Sequence, residues 1–174
     1  MAEQHLVVFL CTGNAARSVM ATVITRSRTE DLAVRGAGTH SIEGLPMSQR
    51  TRQALANLGL SDGTHRSHQL SDRDVAEATL VVAFAPEHVE YVRRNHPDGA
   101  ARTATVKRLA RDLPGGAATL RDRVATMGLA EVALEDWEEV VDPAGHELPE
   151  FKRCAIEIDG LLEAVLPRFS EGRA

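Results

Sequence analysis

From His5 to Leu10 the chain reads His-Leu-Val-Val-Phe-Leu, an unbroken apolar run with β-branched and aromatic members. A strand without polar alternation is covered on both faces, as an inner strand of a parallel sheet is. Cys11-Thr-Gly-Asn-Ala-Ala-Arg-Ser18 follows at once, and Val19, Met20, Val23 and Ile24 then recur at helical spacing in a stretch that runs to Arg28. Leu32 to Arg35 predicts a short second strand ahead of Gly36-Ala-Gly38, and Ser48 to Leu58 a helix closed by Gly59. Thr79 to Phe84 predicts a third strand, flowing into a helix that opens with Ala85-Pro86-Glu87 and continues to Asn95, where Pro97 and Gly99 stop it. Thr103 to Leu109 is a fourth strand candidate, interrupted by Lys107 and Arg108. The final helix, Glu150 to Leu166, sets Phe151, Ala155, Ile158, Leu161, Leu162 and Val165 on one face and is expected to halt at Pro167. Strands alternating with helices specify an α/β fold of three layers, a central parallel sheet of about four strands with helices on both faces.

No repeat, low-complexity run or linker divides the 174 residues, so one domain spanning 1–174 is expected. The awkward stretch is Pro97 to Glu139, with Pro114-Gly115-Gly116 and a weakly amphipathic run from Leu120 to Leu134. It reads as a helix with loops at the domain's edge. Twenty basic against 25 acidic residues give a net charge of −5 with no basic block, which argues against a nucleic-acid partner. No apolar run approaches the ~20 residues that span a bilayer, and Met1 to His5 carries no basic segment of the secretory kind, so no membrane association and a cytoplasmic setting are expected. In such a compartment Cys11 and Cys154 are expected to be free thiols with unrelated roles.

Cys11 is where chemistry concentrates. It stands at the C-terminal end of an apolar strand and at the mouth of a helix, where open α/β sheets bind ligands and helix N-termini favour anions. A thiolate there is stabilised by the helix dipole, by neighbouring backbone N–H groups and by Arg17, which makes a nucleophile. Thr12, Gly13, Asn14, Ala15 and Ala16 can curl so that their N–H groups point inward and, with the forked guanidinium of Arg17, surround a tetrahedral oxyanion such as phosphate or arsenate. Gly13 and Asn14 tolerate the left-handed backbone such a curl demands. Thiolate attack on a phosphate ester needs a general acid for the leaving group, and Val140-Val-Asp-Pro143 presents Asp142 on a turn stiffened by the proline after it.

Taken together these residues resemble the low-molecular-weight protein tyrosine phosphatases, whose fold is shared with thiol-dependent arsenate reductases. The resemblance runs through the opening strand, Cys11 to Ser18 with Met20-Ala21, Gly38-Thr-His-Ser41, Gly44-Leu-Pro-Met-Ser48, Gly63-Thr-His-Arg-Ser67, Gln69-Leu70, the strand before Phe84, and Asp142-Pro143 ahead of a C-terminal helix. It implies the phosphotyrosine protein phosphatase I-like fold and hydrolysis of phosphomonoesters, protein phosphotyrosine first among them, through a phosphocysteine and without cofactor or metal. By the same resemblance Cys11 is the nucleophile, Arg17 the oxyanion clamp and Asp142 the acid and then the base. Ser18 is similar to the family serine that donates to the nucleophile's sulfur. Asn14 resembles a loop asparagine held in a strained conformation by a network whose outer part is Ser41 and His65. The implied partners are a phosphorylated protein or small phosphomonoester and, in the loop, inorganic phosphate or a similar oxyanion; the implied state is a monomer or weak dimer.

Some positions depart from the family. Ala16 stands where a second, protective cysteine often precedes the arginine, and Ala144-Gly145-His146 follow Pro143 where aromatics usually wall the phosphotyrosine ring. Aromatic residues are scarce, with one Trp, one Tyr and four Phe; Trp137 could wall the site from another direction, or be packed core. Ala15 fills a position whose bulk sorts tyrosine from arginine phosphates in relatives, and its small size does not choose. The alternatives are an arsenate reductase using a low-molecular-weight thiol and a non-catalytic oxyanion-binding relic. His65-x-x-His68 lacks the further ligands a zinc site wants.

Overall fold

In the computed structural model, which describes residues 4–170, the opening apolar run becomes β1 (His5–Cys11), with a strand hydrogen-bonded along each of its edges. β2 (Leu32–Gly38) pairs on one side, from His5 opposite Leu32 to Cys11 opposite Gly38. β3 (Leu80–Ala83) pairs on the other and β4 (Thr103–Thr105) lies outside it, so the order is β2-β1-β3-β4 and every pairing is parallel. Because β1 is inner and both faces are covered, its residues from Val7 to Leu10 are fully buried.

Val7, Phe9, Leu80 and Val82 share one apolar cluster with α1 (Arg17–Arg28), α2 (Gln49–Asn57), α5 (Val106–Asp112) and α7 (Leu148–Phe169), whose Ile158, Leu162 and Val165 are wholly buried. On the opposite face Val8, Leu10 and Val81 pack with Val75 of α3 (Asp72–Glu77) and Val92 of α4 (Pro86–Asn95). The result is the expected three-layer α/β architecture.

Several boundaries differ from expectation for local reasons. The candidate fourth strand stops after three residues because the Thr105 hydroxyl accepts from Arg108 N–H and caps α5, turning Val106 to Leu109 into helix. β2 continues past Arg35 to Gly38 because β1 pairs with it to the end. α3 was not anticipated; its start is a capping box between Ser71 and Asp74. In the amphipathic run only α6 (Leu120–Ala125) is helical, and Gly128 turns the chain at φ 62°. Pro167 lies inside α7, in the last turn, where its missing N–H removes a single helical bond. The stretch from Pro97 to Glu139 does more than edge the fold, since it supplies β4 and buries Leu109, Leu113, Leu120, Val124 and Leu129. Among the described residues no helix is long and apolar enough to cross a membrane.

Candidate active site

Strand order decides where the site sits. The chain leaves β1 for β2 on one side and returns to β3 on the other, so the segments after β1 and β3 part above the sheet and open a crevice. Cys11 ends β1 in that crevice and Arg17 begins α1, whose N-cap, Ala16, offers no side-chain cap. The first N–H groups of α1 are therefore directed at the loop rather than satisfied by their own side chains.

Asn14, at φ 50°, is the one non-glycine residue with positive φ among the described residues, and it is fully buried. Left-handed backbone at a non-glycine residue costs of order 1 kcal/mol and is kept where surroundings over-determine it. Here they do. Asn14 Nδ2 donates to Ser18 Oγ at 2.7 Å, Asn14 Oδ1 accepts from His68 N–H at 3.0 Å, and its carbonyl accepts from His65 Nε2 at 3.0 Å. Burial, ahead of any charge, lowers the His65 pKa and so favours the neutral ring that makes this single donation. Ser18 Oγ, already accepting from Asn14, has its proton left for Cys11 Sγ at 3.0 Å, and Ser18 N–H also faces that sulfur at 3.5 Å.

The loop is backed by the end of β2. Thr39 N–H donates to Cys11 O and His40 N–H to Thr12 O, both at 2.9 Å. A Cβ on Gly38 would fall on the Ser41 hydroxyl and the Thr12 carbonyl, and one on Gly36 would stand 2.8 Å from Asn14 Nδ2. These two glycines leave the room the loop occupies. Thr51 of α2 closes the other side by donating to Ala15 O at 2.8 Å. The Ser41 hydroxyl is buried without a hydrogen-bond partner among the described residues, and it is the Ser41 N–H that is engaged, by Gln69 Oε1 at 2.8 Å. His65 and Ser41 are thus both near the loop, but only His65 bonds to Asn14 directly.

Arg17 is 2% exposed and spans from the loop to the segment after Glu139. Its Nη1 donates to Val140 O at 2.9 Å, while Nη2 lies 3.1 Å from Asp142 Oδ2 and 3.4 Å from Thr12 Oγ1. Asp142 is half-exposed and braced by Ala144 N–H on Oδ1 at 3.0 Å. Its approach is anchored by Val140 N–H on Phe84 O at 2.7 Å and, further back, by a buried ion pair. Arg108 Nε and Nη2 each meet a Glu138 oxygen at 2.8 Å, and the Thr105 hydroxyl and Glu135 N–H fill the remaining positions on Glu138. Burial pushes the Glu138 carboxyl up, but these donors, Arg108 first, more than offset it and hold it ionised below its ordinary range. Trp137 is stacked by Arg111 at 4.0 Å and Arg108 at 5.3 Å, so its ring is committed to α5 rather than to the mouth of the site.

Cys154 is buried on α7, and desolvation pushes its thiol up to about 12, the reverse of a thiol poised for exchange. His68 has Asp74 Oδ2 2.7 Å from one ring nitrogen and Glu43 Oε1 3.2 Å from the other, whereas His65 turns to Asn14, so the two rings do not converge. His88 was not singled out by sequence: it is buried behind the loop with Nε2 3.0 Å from Thr12 Oγ1. No local spacing signals it.

Comparison with known proteins adds a family and a fold. The family model for low molecular weight phosphotyrosine protein phosphatase matches residues 6–122. A protein-arginine-phosphatase of Geobacillus stearothermophilus is 30% identical over 104 residues, covering 59% of this chain and 70% of that one. Among solved structures, a low molecular weight protein tyrosine phosphatase from T. tengcongensis superposes with a TM-score of 0.75 at 27% identity, covering 94% of this chain and 98% of its own. The YwlE arginine phosphatase, in a mutant form with a phosphorylated active-site serine, superposes with a TM-score of 0.78 at 21% identity over 97% of each chain.

Proposed function

The chain belongs to the low-molecular-weight phosphotyrosine protein phosphatase family and is a cysteine-dependent phosphatase, and from that premise we propose that its reaction runs through a phosphocysteine on Cys11. The phosphoryl oxygens lodge against the N–H groups of residues 12–18 and the Arg17 guanidinium. The Cys11 thiolate attacks phosphorus in line; the S–P bond forms as the bond to the leaving oxygen breaks, and Asp142 gives that oxygen its proton. Water then yields a proton to the Asp142 carboxylate while attacking phosphorus, and the S–P electron pair returns to sulfur, steadied by the Ser18 hydroxyl. The observation that carries this reading is the aim of the Ser18 hydroxyl. With Asn14 donating to its oxygen, its proton is directed at Cys11 Sγ 3.0 Å away. Arg17 Nη2 lies 3.1 Å from Asp142 Oδ2, which supports reading that carboxyl as the acid beside the clamp.

The substrate is a phosphorylated side chain of a protein or a small phosphomonoester, with phosphotyrosine the first reading. Phosphoarginine is the second, favoured by one observation: no aromatic comes directly after Pro143, and Trp137 is held on α5 by Arg111, so neither position offers a wall for an aryl ring. A relative 30% identical is itself named a protein-arginine-phosphatase. A working thiolate needs reducing surroundings, which supports a cytoplasmic setting. The high pKa of Cys154 argues against a disulfide relay of the arsenate-reductase kind.

Turnover of p-nitrophenyl phosphate, with phosphate binding measured in parallel, tests the proposal. Cys11→Ser is expected to abolish turnover while phosphate still binds, and Cys154→Ser to leave both near wild type. Equal losses in the two variants would point to a thiol relay and overturn it. Peptides carrying phosphotyrosine or phosphoarginine, compared by kcat/KM, decide the substrate.

A further inference from the structure

His88 stands on the first turn of α4, 1% exposed, with its backbone N–H on Ala85 O. Its Nε2 lies 3.0 Å from Thr12 Oγ1, and its Nδ1 is buried with no hydrogen-bond partner among the described residues. A buried imidazole with one nitrogen orphaned costs stability and calls for an explanation. Thr12 Oγ1 supplies one, because Arg17 Nη2 also reaches it, at 3.4 Å. Guanidinium can only donate, so the hydroxyl oxygen accepts from Arg17 and its single proton needs an acceptor on the other side. His88 Nε2 is the group in that place.

We propose that His88 is a positioning residue for the reaction: as a neutral imidazole with its proton on Nδ1, it accepts the Thr12 hydroxyl proton, turns the hydroxyl's lone pairs to Arg17, and so fixes the plane in which the guanidinium grips the oxyanion. The proposal rests on the reading of Arg17 as oxyanion ligand. The titratable and charged groups facing the ring are Arg17, His40 on the loop after β2, and the exposed Glu87 carboxylate 3.7 Å from Nε2. Burial, then Arg17 and His40, hold the His88 pKa down to about 3, so the ring is neutral wherever the phosphatase would work. The orphaned Nδ1–H is then the consequence of giving Nε2 to Thr12.

Nitrogen-15 NMR of the imidazole in the wild-type protein reads the tautomer directly; an Nε2 without a proton from pH 5 to 8 is expected, and an Nε2–H resonance overturns the proposal. Inhibition by orthovanadate, a mimic of the transferring phosphoryl group, reads the grip. His88→Leu and Thr12→Val are each expected to weaken it by about ten- to a hundredfold, the scale of a small misplacement at a reacting centre. The double variant should be no worse than the weaker single, since both remove one relay, and His88→Gln, whose amide oxygen can accept the same proton, should recover most of the loss. A merely structural histidine would lower Tm and give additive losses. Additivity, or wild-type vanadate inhibition in His88→Leu, overturns the proposal; should that variant fail to fold, His88→Gln, Thr12→Val and the wild-type tautomer still decide it. Arg17→Lys tests the underlying reading separately: unchanged vanadate inhibition there would remove Arg17 from the site whatever His88 does.

Discussion

Asp142 is half-exposed, 3.1 Å from Arg17 Nη2, on a turn it braces with its own Oδ1. If it is the donor, Asp142→Ala should lower kcat by roughly 10²–10⁴ for an ester with a poor leaving group, with little change in KM. With p-nitrophenolate, whose expulsion needs less help, the loss should be much smaller. A uniform loss across leaving groups would make Asp142 a loop-shaping residue instead. The nearby carboxylates are poor substitutes: both Glu138 oxygens are occupied, and Glu147 is 3.0 Å from Arg50. At this scale the sequence is most legible where the site is local. Cys11 to Ser18 lie in one loop, so strand end, glycine, left-handed Asn14 and arginine can be read in a row. Gly36 and Gly38 look like a strand's end and are room for the loop; His88 meets Thr12 across 76 positions of chain, and no spacing rule reaches that far.

Elements set these residues by how they end. α5 begins where Thr105 caps it, and that cap puts Arg108 against Glu138 beneath the segment leading to Asp142. A strand prediction for Thr103 to Leu109 misses this because the decision lies in one hydroxyl rather than in hydrophobic periodicity. Glu138 is wholly buried, so removing its partner leaves an uncompensated charge, worth about 3–5 kcal/mol. Urea unfolding of Arg108→Met should show a loss of that order, and the paired change Arg108→Met with Glu138→Leu should restore most of it. If the single variant unfolds like wild type, the pair does not anchor the segment. α7 shows the opposite error. Its apolar stripe was plain, but Pro167 marks the last turn rather than the end.

The whole molecule was the easiest level to read, because uninterrupted apolar strands alternating with amphipathic helices leave few arrangements other than a covered parallel sheet. Its acid tolerance is less visible from sequence. Burial would raise the Asp74 carboxyl, but donors from Ser71, Arg35 and His68 outweigh it and hold it at about 2. A depressed folded-state pKa gives stability that is present above the ordinary aspartate range and lost as pH falls towards 2, here about 2 kcal/mol. Urea unfolding should therefore fall less steeply from pH 5 to 2 for Asp74→Asn than for wild type; parallel curves would exclude Asp74 as a source of acid sensitivity. One feature of the layering also bears on how the protein is made. α7 covers α1 and α2 yet follows every other element in the chain. The loop between β1 and α1 is thus synthesised before the helix that covers its layer. That layer stays uncovered during synthesis until α7 has left the exit tunnel, so the setting of an early loop is completed by an element made much later than the loop itself.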